Sequence, residues 1–497
     1  MNKKQIKSLR EYVKALEEIN DVHMITEEVD WNLEMGAIIR YCNETGSPAP
    51  LFTNIKDSRK GIHVLGAPVG VSNLPHQYYA RFALSIGLPP HATGQELVHA
   101  LLEARNNPSV PPVEVKDAPF KKNKIEGDDI RLFDWPAPMA HMGDGGRYIN
   151  TFGTIIVQTP DGKWTNWSIA RIMIADQTKM TGLIIPFQHI GRVHEEWKKV
   201  GKPTPFALVL GSQPIIPIVS STPLPEGMNE ADYIGAYFGQ PLELVRAETS
   251  DLLVPADAEI VIEGTISHEE TAPEGPMGEY PGYMWETPPV QSPVYHVSCI
   301  SHRDDAILPM VVTGAPTDET HIVAGIGGSA EILHCLREAN IPATMVWTPF
   351  EAACHWLVIT MPEHWQKQMQ CSERELMDRF ASVIFANKYS TMVSKVIVLG
   401  DDIDPTNLSE VAWGYATRVH PANDVYTYPN HKTIRLVAYL TNEEKAKGET
   451  VAVIYNGLAP EEWNGKAYPT RCSFHFGYPE DVKESAIRKL KNAGYPL

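Results

Sequence analysis

The chain has 497 residues, 43% hydrophobic and 21% charged, so at roughly 150 residues per domain it predicts two to four domains with full cores. That size excludes a peptide, a lone binding module and a disulfide-stapled scaffold. Its 43 basic and 61 acidic residues leave a net charge of -18, which disfavours nucleic acid or an anionic membrane as the main partner because the average surface would be repelled.

The opening MNKKQIKSLREYVKALEEIN sets Ile6, Leu9, Val13 and Leu16 at helical spacing without an apolar h-region, and so predicts an amphipathic helix rather than a signal peptide. No run of 18 apolar residues follows anywhere, so no membrane-spanning helix is expected. A helical stretch from Gln95 to Arg105 and the apolar run HVLGAPVGV at 63–71 predict an N-terminal α/β unit over residues 1–120. The proline-dense PSVPPVEVKDAP at 108–119 reads as a connector. Next come TFGTIIVQ, a TPDG turn, KWTNWSIARIMIA, FALVLG, AEIVIEG and SPVYHVSCISH, strand-like runs between turns that predict a barrel or sandwich over 121–327. From residue 328 helices at Ser329 to Asn340 and Glu363 to Asn387 interleave with SKVIVLG and TVAVIYN, which predicts a C-terminal α/β domain over 328–497, joined to the barrel by its first helix. The fold class is therefore α+β / α/β multidomain. The six cysteines (Cys42, Cys299, Cys335, Cys354, Cys371, Cys472) include no CxxC pair, a pattern that suits a reducing cytoplasm.

Several segments carry candidate chemistry. GIGGSAEILHCLREA matches a loose GxGxxA without GK[ST], and a plain helix start with Ser329 as N-cap is preferred to a phosphate loop. DDID at 401–404 follows a buried strand without a histidine at ligand spacing, so a strand end is preferred to a metal site. In TPDGKWTNWSIAR, a regular strand at ~3.3 Å per residue would set Asn166 and Arg171 roughly 17 Å apart, about the length of a flavin mononucleotide. Their odd spacing demands a bulge or strong twist if both are to face one pocket, and a surface ion-pair role for Arg171 stays open. In TAPEGPMGEYPGY, six of the ten residues from 273 to 282 are Pro or Gly, which predicts an irregular path without helix or regular strand. It is read either as a solvated turn or as a rigid loop presenting Glu274 and Glu279, one protonated and one ionised beside an arginine. His189 in PFQHIG and Glu230 in GMNEADY are possible N and O ligands.

Together DGGRY (144–148), TNWSIAR (165–171), PFQHIG (186–191), EGPMGEYPGY (274–283), TDETH (317–321) and GDDID (400–404) resemble, in order, the UbiD family of reversible decarboxylases, in the branch of the ferulic and cinnamic acid and pyrrole-2-carboxylate enzymes. The resemblance implies an N-terminal α/β unit, a split β-barrel holding prenylated FMN, and a C-terminal domain that makes homodimers or hexamers. It implies a flavin phosphate bound through a divalent ion (Mn2+ or Mg2+) and K+, with Asn166, His189 and Glu230 as metal ligands. Further cofactor contacts implied are Ser168, Ile169, Ala170, Arg171, Gln188 and Lys388, the last to the phosphate. Arg171, Glu274 and Glu279 become the catalytic trio, with Arg171 orienting the carboxylate and Glu279 delivering the proton. The implied substrate pocket includes Tyr280, Thr320, Ala324 and Ile434. Ala324 stands where the fungal cinnamate enzymes carry isoleucine, Ile434 where they carry phenylalanine, and Thr320 where the pyrrole-2-carboxylate enzymes carry asparagine. A separate UbiX-type flavin prenyltransferase would supply the cofactor. The implied reaction releases CO2 from unsaturated aromatic or heteroaromatic acids, whose sp2 carbanion no protein side chain can delocalise. A flavin-free metal hydrolase and a noncatalytic binding protein are the alternatives from other classes.

Overall fold

The computed structural model describes residues 3–105, 107–222, 224–460, 468–469 and 471–495. The N-terminal helix Leu9–Glu18 starts at Ser8, whose side chain accepts from the Glu11 N–H. It buries Leu9, Tyr12, Val13 and Leu16, and Ile6 precedes the helix but packs on the same cluster. Beneath it lies a four-stranded sheet in the order Val22–Ile25, Ala49–Phe52, Ile62–Gly66 and Ala306–Met310. The last strand arrives from beyond the barrel and pairs parallel to Ile62–Gly66. A fully buried ion pair fixes the unit, with Arg81 Nε and Nη2 each 2.9 Å from an Asp21 oxygen. The predicted Gln95 to Arg105 helix is Gly94–Ala104, opened by a capping box between Thr93 and Glu96. Within the connector, Val113–Val115 forms a short strand beside Glu243–Arg246.

The middle of the chain curls into a nine-stranded sheet. Its backbone is two long antiparallel strands, Ile260–Glu274 and Val290–His302, flanked by Thr204–Leu210, Thr154–Gln158 and Thr165–Ile169 on one side. On the other side lie Lys179–Gly182, Ile172–Ile174 and Tyr148–Asn150, while Asn123–Glu126 pairs at the far end of Val290–His302. Two sequence expectations are corrected here. KWTNWSIARIMIA is not one strand: Thr165–Ile169 pairs with Thr154–Gln158, the chain leaves the ladder at Ala170 and Arg171, and Ile172–Ile174 pairs with Lys179–Gly182. Arg171 therefore lies outside both ladders, where the strand alternation that would oppose it to Asn166 does not apply. Nor does the Pro/Gly-rich stretch exclude regular strand throughout, because Thr271–Glu274 pairs with Val290–Pro293 after a register shift. Glu274 is thus the last residue of a strand, and Glu279 lies on a separate two-residue strand, Gly278–Glu279.

The linking helix is also corrected. It spans Glu319–Glu338 with Asp318 as N-cap, so Ser329 is interior and donates its hydroxyl to Gly325 O at 2.6 Å. The glycines serve packing: a Cβ on Gly328 would fall 2.2 Å from the Tyr389 ring, so only a residue without one lets helix and ring approach. Helix Gly94–Ala104 packs on the same helix and joins the N-terminal and C-terminal units in one core. The predicted 363–387 helix is two helices, Trp365–Met369 and Glu373–Ile384. Gln370 takes a left-handed conformation (φ 47°) between them, and a Ser372–Glu375 capping box restarts the second. A five-stranded sheet follows the order Met345–Trp347, Trp356–Met361, Lys395–Gly400, Glu449–Gly457 and Val425–Lys432. At the end of Lys395–Gly400, Asp402 of the DDID run makes a bidentate pair with Arg418 (2.8 and 2.6 Å), a structural role. Among the described residues no helix is long and apolar enough to cross a membrane.

Candidate active site

Arg171, released from the ladder by the strand break, reaches two carboxylates more than a hundred positions away. Its Nε and Nη2 donate to the two oxygens of Glu274 at 2.9 and 3.1 Å, and its Nη1 donates to Glu279. The planar guanidinium matches Glu274 two-pronged, the geometry of strong charge-assisted bonds. Glu274 is buried and also accepts from the Tyr148 hydroxyl at 3.0 Å. Burial works against charge on Arg171, but Glu279 and Glu274 together outweigh it and hold the guanidinium protonated. Glu279 moves the other way. Burial pushes its carboxyl above the ordinary range, Arg171 pulls it back, and Glu274 and Asp144 push it up again. A carboxyl placed so keeps its proton to higher pH than a free glutamate and releases it as pH rises through the elevated value.

The DGGRY segment braces this trio. Asp144 Oδ2 accepts the N–H of Ala140 (3.1 Å) and His141 (2.8 Å), and its Oδ1 accepts that of Gly278 (3.0 Å), the residue before Glu279. Gly145 N donates to Pro276 O at 2.7 Å, and a Cβ on Gly145 would stand 2.0 Å from Gly275 O, so the two loops touch backbone to backbone. Sequence reasoning quoted this motif without giving Asp144 or Tyr148 a role. An acid and a phenol flanking two glycines next to a strand start was the available signal.

A second group gathers at the Thr165–Ile169 strand. Asn166 Nδ2 donates to Glu230 Oε1 at 3.3 Å, Trp167 N to Glu230 Oε2 at 2.9 Å, and Ser168 Oγ to Asn166 Oδ1 at 2.6 Å. Glu230 opens the helix Glu230–Phe238 and is buried. Burial pushes it up to about 7, against the Trp167 N–H and the Asn166 amide, which favour its anion. No basic side chain pairs with it among the described residues, and its two oxygens are met by the Asn166 amide and the Trp167 N–H.

His189 opens the helix His189–Lys199, which packs on the same strand, and its ring stands edge-on to Trp164 at 5.1 Å. Among the described residues that ring makes no hydrogen bond, so the structure joins Asn166 to Glu230 directly but not His189 to either. Burial first, then Lys388 and Arg192, lower its pKa, which leaves the neutral imidazole a ligand needs. Lys388 and Arg192, the latter paired with Glu226, bring positive charge to the neutral His189 at this helix N-terminus, a setting suited to an anion. Arg192 was not singled out from sequence, although three positions after His189 it shares that helix face. Gln188 is the N-cap residue of this helix but does not cap it with its side chain. Ile169 and Ala170, half-buried, pack on opposite hydrophobic clusters around the strand break.

The proposed pocket residues come from three elements. Tyr280, next to Glu279, is buried, and its hydroxyl has no hydrogen-bond partner among the described residues. Its carbonyl accepts from His321 Nε2 at 2.7 Å, while Asp318 N donates to His321 Nδ1 at 3.0 Å. Those two bonds tie the acidic loop to the start of Glu319–Glu338. Thr320 and Ala324, four apart, share a face of that helix, and both are half-buried. Ile434 is placed separately, through its N–H to Thr391 O at 3.2 Å, beside the turn Lys388–Met392.

Comparison with known proteins follows the same layout. A family model described as the 3-octaprenyl-4-hydroxybenzoate carboxy-lyase Rift-related domain matches residues 112–316, with the corresponding N-terminal domain at 13–101 and C-terminal domain at 321–454. The chain is 39% identical over 486 residues to a pyrrole-2-carboxylic acid decarboxylase of Pseudomonas aeruginosa, covering 98% of each. It is 36% identical over 495 residues to ferulic acid decarboxylase 1 of Saccharomyces cerevisiae, again covering 98% of each. A solved structure of the UbiD-class enzyme HmfF from Pelotomaculum thermopropionicum in complex with prFMN superposes with a TM-score of 0.76 at 26% identity, over 92% of this chain and 95% of that one.

Proposed function

Because the chain belongs to the UbiD family of carboxy-lyases, we propose that it reversibly decarboxylates cinnamate-type or heteroaromatic unsaturated acids with prenylated FMN. The observation that carries this reading is Arg171 held between a buried Glu274 and a proton-retaining Glu279. In the proposed layout residues 121–327 bind the cofactor and 328–497 carry the dimer contact of a cytoplasmic enzyme loaded by a UbiX-type partner. The residues present suit the cofactor: a cation-seeking buried Glu230 beside Asn166, a neutral His189, and Lys388 near the helix start. Asn166, His189 and Glu230 would hold the divalent ion, with K+ alongside, Lys388 would meet the phosphate, and Ser168, Ile169, Ala170 and Gln188 would line the flavin. When bound, prenylated FMN supplies the electron sink for the pair left behind as the carbon–carboxylate bond breaks.

The protein's own part is orientation and proton delivery. Arg171 turns its charge toward the substrate carboxylate and Glu274 keeps the guanidinium in place. The carboxylate leaves as CO2, and Glu279 gives its proton to the vacated carbon, then regains one from water. In reverse, ionised Glu279 removes that proton so that CO2 can add. The acid form is required for release, so decarboxylation is present below the elevated pKa of Glu279 and falls as pH rises through it.

Substrate width is proposed to depend on Ala324, a small side chain on the face that also carries Thr320. Ala324→Ile should lose bulky acids first, by roughly 5- to 150-fold, the cost of overpacking by ~1 to 3 kcal/mol. Competition between bulky and slender acids measures this, and unchanged relative rates would remove residue 324 from the pocket wall. The proposed function itself is tested by purification after co-expression with a flavin prenyltransferase, an absorption spectrum, and CO2 release across acrylic, phenolic and heteroaromatic acids. A protein that carries the modified flavin yet releases CO2 from none of them would overturn it.

A further inference from the structure

We propose that Tyr148 is a positioning residue: by donating to Glu274 it fixes the negative charge of the carboxylate pair there and leaves the transferable proton on Glu279. The inference rests on the acid role proposed for Glu279. One guanidinium can offset one of two carboxylates, so the pair must choose which member stays ionised. The donors are unevenly shared. Glu274 receives three, Arg171 Nε at 2.9 Å, Arg171 Nη2 at 3.1 Å and Tyr148 Oη at 3.0 Å, whereas Glu279 receives Arg171 Nη1. Each donor aimed at a carboxylate favours its anion.

Tyr148 is suited to this task. It is fully buried against Met173 and Met277, and burial first, then Glu274, hold its phenol protonated far beyond the ordinary range. It therefore cannot act as a base and has a proton to donate. The other groups facing Glu274 are Arg171, Glu279 and Tyr295, the last a buried phenol whose hydroxyl makes no hydrogen bond among the described residues. Glu279 faces Arg171, Glu274 and Asp144, two of them anions that discourage its ionisation. Tyr148 thus biases the pair from one side and Asp144 from the other. A tyrosine that served packing alone would be replaced by phenylalanine without a change in protonation, because the ring would fill the same space.

The test uses the full-length, cofactor-loaded protein and two readouts. The difference between the infrared carboxyl titrations of Glu279→Gln and of Glu279→Gln combined with Tyr148→Phe isolates Glu274 from the other carboxyls, which the two proteins share. Loss of one hydrogen bond to a charged group should raise the Glu274 midpoint by about 1 to 2 pH units. In the single Tyr148→Phe protein the two carboxyls compete for one proton, so kcat should fall with KM nearly unchanged and the alkaline limb of kcat should move upward. An unmoved Glu274 midpoint would overturn the proposal, as would a kcat loss without displacement of the alkaline limb. A shifted midpoint beside a cofactor-loaded wild-type protein that releases no CO2 would uphold the charge assignment while removing the decarboxylase reading.

Discussion

Glu279→Gln is expected to lose turnover by about 10²- to 10⁴-fold while it retains bound flavin and an unchanged melting temperature. Glutamine keeps the shape and can still meet Arg171 Nη1 through its amide oxygen, so the guanidinium stays bridged to Glu274 by its other two donors. What disappears is the acidic proton that burial and the neighbouring Glu274 and Asp144 keep on residue 279. The loss should be equal for CO2 release and for solvent-proton exchange into product, since one group serves both directions. Wild-type rates of both in the variant would assign the proton to another group.

His189→Ala and Glu230→Ala are each expected to purify folded but with little flavin. Their cofactor affinity should fall by at least about 10- to 100-fold, the cost seen for disturbing even the outer partners of a bound metal. Glu230 and a flavin phosphate are both anions and repel each other unless a cation lies between them. Glu230 is buried without a basic partner among the described residues, and Asn166 and the Trp167 N–H hold its carboxylate in one orientation. Removing the imidazole of His189 leaves that carboxylate in place but withdraws a neutral nitrogen donor from the helix start. Flavin absorbance per chain, metal content and circular dichroism read the outcome together. Full flavin occupancy in both variants would dismiss the metal site.

The sequence by itself determined features that a short window encodes. The N-terminal amphipathic helix, Gly94–Ala104 and the strand runs of the middle sheet follow from periods of 3.6 and 2, which express local backbone geometry. Family identity was equally legible, because six motifs in order carry far more information than any one, and the full-length relatives agree with it. Membership in a carboxy-lyase family also decides against the hydrolase and binding-protein alternatives.

Only the tertiary structure decided the partnerships. Ala306–Met310 completes a sheet by pairing with Ile62–Gly66, a strand 244 positions earlier, and no local pattern says which edge a strand will join. The Glu319–Glu338 helix extends back through three glycines because Asp318 caps it and Gly328 lies against Tyr389. In sequence those glycines look like a loop, since the ring that needs the missing Cβ of Gly328 lies 61 positions away. The strand break at Ala170 and Arg171 arises because each half finds a different neighbour to pair with. Glu274 then meets Arg171 across 103 positions and Tyr148 across 126. Composition and spacing could nominate the acids, but their protonation depends on burial and on donors from distant segments, and those exist only once the chain has folded.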